Sequence, residues 1–149
     1  MQPTQPPVPD ATPRIILIED EDFIRDLYKR QLDNGGLPTD AFATGQEGMA
    51  AIAKTHYDLL LLDIMLPDTN GLQILKEIKQ NPATAKMSVV LLTNLGQDVI
   101  IKEGFELGAE GYLIKASLTP SQVVQEVKNA LAKRMQGSSP TSPPTPQTT

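Results

Sequence analysis

The chain has 149 residues and a mass of 16.2 kDa, the size of one ordinary domain, and with 40% hydrophobic and 21% charged residues it has the material for a single core and is not disordered throughout. Only 4% of residues are aromatic, the net charge is −5 and the 13 Lys and Arg are scattered, which excludes a phosphate-backbone-binding surface and leaves Val, Ile, Leu and Ala to build the core. The absence of cysteine and the single histidine exclude disulfides, thiol catalysis, zinc fingers, iron–sulfur clusters and His-rich metal sites, so any metal must have oxygen ligands.

The amino-terminal segment, MQPTQPPVPDATP, has neither the basic start nor the apolar stretch of a secretory signal, and no run approaches the roughly 18 apolar residues of a membrane span. A cytoplasmic protein with no membrane association is expected. Five of the 13 prolines fall in residues 1–13 and four in 136–149. The carboxyl-terminal QGSSPTSPPTPQTT has no charge and no aliphatic residue, too little to offset the entropy of ordering it. The division expected is therefore a disordered tail over 1–13, a domain over 14–135 and a disordered, solubilising tail over 136–149, the last with a Pro-rich docking ligand as the sharper alternative.

The first apolar run is Ile15–Ile18, and its continuous rather than alternating character suits a strand covered on both faces. A helical pattern follows over Asp22–Leu32, then a weaker strand near Thr39–Ala43 and a helix over Gly45–Ala53, where Thr44 and Glu47 have capping-box spacing. The run Leu59–Leu62 predicts another buried strand, and Asn70 is placed to cap a helix over Gly71–Gln80. Val89–Leu92 is the next strand, Gln97–Leu107 a helix, Tyr112–Ile114 the last strand, and Pro120–Met135 the last helix, with Pro120 at its first position and Thr119 paired with Gln122. Strict alternation of five strands and five helices implies right-handed crossovers and a parallel sheet with helices on both faces.

In such a sheet, ligands sit outside the carboxyl ends of the strands, at the point where strand order reverses. Those ends carry Glu19, Asp20 and Glu21, then Asp63, Thr93 and Lys115. With strand order 2-1-3-4-5, Asp20 and Asp63 share a crevice. Carboxylates about 4 Å apart repel by roughly 4 kcal/mol per pair at an effective dielectric near 20, so the cluster requires positive charge. Lys115 supplies one. An oxygen-only pocket is otherwise the setting for Mg²⁺, with Asp20 and Asp63 as direct ligands and the Thr93 hydroxyl and Lys115 ammonium left for phosphate oxygens. There is no Walker-type loop, no kinase signature and no histidine placed as a general base. A carboxylate can itself carry a covalent phosphoryl group, and Asp63 is the candidate nucleophile.

Four strings, IILIEDEDFIRDLY, LLLLDIMLPDTNGLQIL, VVLLTN and GAEGYLIKAS, resemble in order and spacing the receiver domain of two-component response regulators, over about residues 14–132. The resemblance implies a flavodoxin-like (βα)5 fold and transfer of a phosphoryl group from a histidine kinase, or a phosphotransfer protein, to Asp63. It implies Mg²⁺ bound by Asp20, Asp63 and the carbonyl of Met65, with Glu19 acting through a water. Thr93 and Tyr112 would be the switch pair and Lys115 the phosphate-contacting lysine, with phosphorylation altering the surface offered to a downstream protein. The protein would be a monomer or a phosphorylation-dependent dimer, with no direct nucleic-acid contact.

The chain departs from the family pattern at two positions. Ala116 follows Lys115 where a proline in a cis bond is common, and Asn94 follows Thr93 where a small residue is usual, which predicts an altered lifetime of the phosphorylated state. Glu21 and Asp22 read as first-turn helix residues favoured by the dipole, His56 as solvent-facing, and Met65, Met87 and Met135 as packing residues, Met65 contributing only its backbone. Tyr112 suits core packing and a switch role equally. The expected function is a stand-alone, phosphorylatable receiver rather than an enzyme. The alternatives are a phosphorylation-independent interaction module and a Mg²⁺-dependent phosphohydrolase. The latter would want an acidic residue two positions after Asp63, where Met65 stands.

Overall fold

The computed structural model describes residues 12–94, 97–115 and 119–136, with side chains assigned through Lys133. The strands are β1 (Ile15–Ile18), β2 (Thr39–Phe42), β3 (Leu59–Asp63), β4 (Ser88–Thr93) and β5 (Gly111–Ile114). They alternate with α1 (Asp22–Asn34), α2 (Gly45–Lys54), α3 (Gly71–Gln80), α4 (Asp98–Glu106) and α5 (Pro120–Gln136). All strand pairings are parallel and the order is β2-β1-β3-β4-β5, so the predicted flavodoxin-like architecture is the one observed. Gln136, expected to open the second tail, closes α5; the rest of that tail, nearly all of the tail over 1–13, the bond to Ala116 and the Met135 side chain lie outside what is described.

Successive side chains on a strand point to opposite faces, and this splits each continuous apolar run between two cores. Ile16, Ile18, Leu60, Leu62, Val89 and Leu91 pack under α2, α3 and α4. Their neighbours Ile15, Leu17, Leu59, Leu61, Val90 and Leu92 pack under α1 and α5, with Tyr28, Leu32, Val123 and Val127. A strand that is apolar at every position is one that must satisfy both layers.

Element ends follow local chemistry. The Asn70 side chain accepts from the Leu72 N–H at 2.7 Å. The Thr119–Gln122 box is complete: the Thr119 N–H donates to Gln122 Oε1 at 2.7 Å and the Gln122 N–H to Thr119 Oγ1 at 3.2 Å. At Thr44 the hydroxyl accepts from the Glu47 N–H at 3.1 Å. Helix α1 runs two residues past the predicted end at Leu32, to Asn34. It stops where Gly36 takes φ +88° and the Leu37 N–H turns back to the Leu32 carbonyl at 2.9 Å, a left-handed conformation that favours glycine. Gln97, predicted as helical, is instead the residue before α4.

Among the described residues no helix is long and apolar enough to cross a membrane. His56 is exposed beside Asp58, at 3.3 Å, and Met87 is buried in the core. Met65 departs from the reading as a packing residue: its side chain is 59% exposed, because it stands in the loop beyond the end of β3, where neither layer of helices covers it.

Candidate functional site

Register sets which strand-end residues meet. Ile18 pairs with Leu62, so one step further along the two strands Glu19 comes level with Asp63. Both have the parity of the layer under α1 and α5, as does Lys115, two residues beyond Leu113. The three side chains converge accordingly. The Lys115 ammonium donates to Glu19 Oε1 at 2.9 Å and to Asp63 Oδ2 at 3.1 Å. All three are almost closed to solvent, with side-chain exposures of 5% for Lys115, 0% for Glu19 and 4% for Asp63. Glu21, more exposed, approaches the same ammonium at 3.8 Å.

Asp20 completes an acidic trio: Glu19, Asp20 and Asp63 each offer an oxygen, and the three lie within 4.8 Å of one another. Among the described residues no cation pairs with the Asp20 carboxylate. Three carboxylates against one ammonium leave about two negative charges uncompensated. The donor set is purely oxygen, so its chemistry and its residual charge fit a hard divalent cation such as Mg²⁺.

Backbone contacts fix the loops that carry the trio. The Met65 N–H donates to Asp63 Oδ1 at 3.0 Å, orienting the carboxylate and leaving Oδ2 to Lys115. Gly71 donates to the Ile64 carbonyl at 2.7 Å, and a Cβ there would run into the Asp63 carbonyl oxygen and the Ile64 Cα. Only glycine allows α3 to start so close to the acidic loop. The Asp68 carboxylate accepts from the Gly45 and Gln46 N–H groups, both at 2.9 Å, and so ties the β3–α3 loop to the positive end of α2. These contacts hold its carboxyl below the ordinary value. Asp68 was not singled out from the sequence, since its partners are more than 20 residues away and no short spacing announces them.

Arg25 went equally unsignalled. Its Nη1 donates to the carbonyls of Glu19, at 3.0 Å, and Asp20, at 3.3 Å, while Nη2 bonds Asp22 Oδ1 at 2.6 Å. The sequence offered only the three-residue spacing from Asp22.

Thr93 and Tyr112 lie on the other side of the sheet. Thr93 shares the parity of Leu91, which packs under α3 and α4, and Tyr112 pairs in register with Leu91. The Thr93 hydroxyl is buried and donates to the Asn94 carbonyl at 3.1 Å, rather than to the carboxylate trio. Tyr112 is 42% exposed and meets Phe105 of α4 edge-on, with ring centroids 6.0 Å apart and planes at 84°. Its side chain is thus an outward-facing one, not a core residue, because β5 is an edge strand.

Burial pushes the Glu19 carboxyl up to about 7 from an ordinary 4.5. The nearby Asp63 charge adds to the rise, while the Glu21 N–H and Lys115 oppose it. Asp63 is raised for the same leading reason, against the pull of the Met65 N–H and Lys115. Desolvation alone would lower Lys115, but its bond to Glu19 and the two carboxylate charges outweigh that and hold it above its usual value.

A folded-state proton on Glu19 that the unfolded chain releases makes a stability contribution that is complete below pH 4.5 and lost as pH rises through about 7. Urea midpoints in EDTA are therefore expected to fall between about pH 5 and 7.5, and Glu19→Gln to flatten that slope. An identical slope in the variant would show that Glu19 is not the group responsible.

The family follows from this fold and site together with direct comparison. Residues 15–128 match the model of the response regulator receiver domain, and the chain belongs to that family. It is 33% identical to the transcriptional regulatory protein ResD of Bacillus subtilis over 125 residues, covering 84% of this chain and 50% of ResD. To the regulatory protein VanRc of Enterococcus gallinarum it is 36% identical over 132 residues, covering 89% of this chain and 55% of VanRc. The chain thus spans about half the length of these curated relatives. Among solved structures, a CheY-like receiver domain protein of Methanospirillum hungatei superposes with a TM-score of 0.78 at 25% identity, covering 85% of this chain and 98% of that one.

Proposed function

We propose that this receiver is a phosphoacceptor: it takes a phosphoryl group on Asp63 from the phosphohistidine of a histidine kinase or phosphotransfer protein, and the modification changes which downstream protein it binds. The observation that carries this reading is the carboxylate trio of buried Glu19 and Asp63 and half-buried Asp20, served by one ammonium at the carboxyl ends of β1 and β3. Asp20, Asp63 and the Met65 carbonyl would hold Mg²⁺, with Glu19 reaching it through a water. When bound, the ion supplies neutralisation of phosphoryl oxygens.

In the transfer, an Asp63 carboxylate oxygen attacks phosphorus as the N–P bond breaks. The electron pair leaves with the imidazole, which departs neutral after protonation at its other ring nitrogen. The Lys115 ammonium, already 3.1 Å from Asp63 Oδ2, is placed to pair with a phosphoryl oxygen. Thr93 would turn its hydroxyl from the Asn94 carbonyl to another phosphoryl oxygen. Tyr112 lies on the same face of the sheet and rests on α4, so a shift of Thr93 has a short route through the packing to that helix. Water attack at phosphorus later restores the Asp63 carboxylate and releases phosphate.

Incubation of the chain with acetyl phosphate and Mg²⁺ is expected to give a hydroxylamine-sensitive acyl phosphate, absent in EDTA. No label under either condition would favour the phosphorylation-independent interaction module instead. Asn94 is exposed beside Thr93, where its side chain restricts access of water to a phosphoryl group on Asp63. Asn94→Ala is expected to change the acyl-phosphate lifetime, shortening it. An unchanged decay would remove Asn94 from the account.

A further inference from the structure

Two of the three trio carboxylates stand on consecutive residues, Glu19 and Asp20, immediately after β1. Adjacent side chains diverge in extended backbone, so bringing both to one point requires the turn to hold a particular shape. The hydrogen bonds that hold it are few. The Glu19 N–H donates to the Phe42 carbonyl at 3.0 Å, the Glu21 N–H to Glu19 Oε2 at 3.0 Å, the Arg25 N–H to the Glu21 carbonyl at 2.9 Å and Lys115 to Glu19 Oε1, while Arg25 Nη1 holds the Glu19 and Asp20 carbonyls. Arg25 is mostly covered, with 22% side-chain exposure.

We propose that Arg25 is a positioning residue for the cation site: by clamping the Glu19 and Asp20 carbonyls with one nitrogen of its fork and Asp22 with the other, it sets the spacing of the Glu19 and Asp20 carboxylates and hence the affinity for a divalent cation. This rests on the reading of the trio as a Mg²⁺ site. The guanidinium spends its donors on the Glu19 and Asp20 backbone carbonyls and on Asp22, and makes no hydrogen bond to the carboxylates of Glu19, Asp20 or Asp63. Its charge therefore orders the turn without occupying the place of the ion. Lysine has one terminal nitrogen and cannot hold the two carbonyls from one arm and Asp22 from the other as the planar fork does.

The two roles that Arg25 could play have opposite signs. As a mere nearby cation it would repel Mg²⁺, and its removal would tighten binding. As a positioning residue its removal loosens binding, by about tenfold or more as for other groups that orient metal ligands. The test is Mg²⁺ titration of the full chain by calorimetry, with urea stability in EDTA measured alongside.

Arg25→Ala and Arg25→Lys are both expected to weaken Mg²⁺ binding about tenfold while the protein stays folded. Tighter or unchanged binding in Arg25→Ala, or wild-type binding in Arg25→Lys, would overturn the proposal. If Arg25→Ala does not fold, Arg25→Gln replaces it. Gln removes the charge and leaves one donor, weaker binding is again expected, and unchanged binding again overturns the proposal. Asp20→Asn is the control for the site itself: undiminished binding there would refute the trio as a Mg²⁺ site, whereas loss of binding there beside a wild-type Arg25→Ala would refute only the role of Arg25.

Discussion

Asp63→Asn is expected to abolish phosphoryl uptake while the protein remains folded. An amide oxygen does not serve as the nucleophile that a carboxylate is, so labelling by acetyl phosphate or a phosphorylated kinase should fall to background rather than merely slow. The folded state tolerates the change because the cluster is overloaded with negative charge. Removing one of three carboxylates within 4.8 Å of one another relieves repulsion, and Asn keeps an oxygen to accept the Met65 N–H that now bonds Asp63 Oδ1 at 3.0 Å.

The loss on the other side is one charge-assisted bond from Lys115, worth about 1.5–3 kcal/mol in general. Near-wild-type stability is the expected balance. The variant should also lower the Glu19 carboxyl from about 7, since the Asp63 charge is one of the causes of its rise. Residual labelling at another side chain would place the acceptor elsewhere.

Lys115→Met is expected to have the largest effect on stability. The ammonium is the one cation bonded to both Glu19 and Asp63 among the described residues, and all three side chains are almost wholly buried. Breaking a buried pair by removing one partner costs about 3–5 kcal/mol, because the remaining charge keeps its desolvation penalty. Here two carboxylates are stranded. The loss should be greater near pH 8 than near pH 5. It should shrink toward pH 5, because a proton on Glu19, whose carboxyl is pushed up to about 7 even with the lysine present, substitutes for the missing charge.

Mg²⁺ is expected to recover part of the stability at pH 8 by binding the folded state alone. Urea titrations at the two pH values, with and without Mg²⁺, check all of this. A loss independent of pH would mean that Lys115 contributes through packing rather than charge.

The rise of Glu19 and the fork of Arg25 bear on the same question, how a small domain holds three carboxylates within 4.8 Å of one another. The answer in this structure is a mixture of means: one ammonium held by two of the three, a carboxyl whose burial favours its protonated form, and a guanidinium spent on backbone carbonyls.

Much of this was legible in the sequence, for reasons of range. The continuous runs Ile15–Ile18, Leu59–Leu62 and Val89–Leu92 suit strands covered on both faces, and the caps at Asn70 and Thr119 involve partners two or three residues away. Strict alternation of strand and helix then implied a parallel sheet, with Glu19, Asp20, Asp63, Thr93 and Lys115 at strand ends. What the sequence could not decide was which of those groups face one another. The bond from Lys115 to Glu19 spans 96 residues and that to Asp63 spans 52, and both depend on register.

The tertiary structure alone separated Glu19, Asp63 and Lys115, which share the parity of the layer under α1 and α5, from Thr93 and Tyr112, which have the parity of the layer under α3 and α4. It alone turned Met65 outward, seated Tyr112 against Phe105, and gave Arg25 and Asp68 their tasks. The physical reason is that composition and periodicity report what a residue needs, burial or solvation, whereas a binding site depends on where distant backbones bring side chains within about 3 Å of each other.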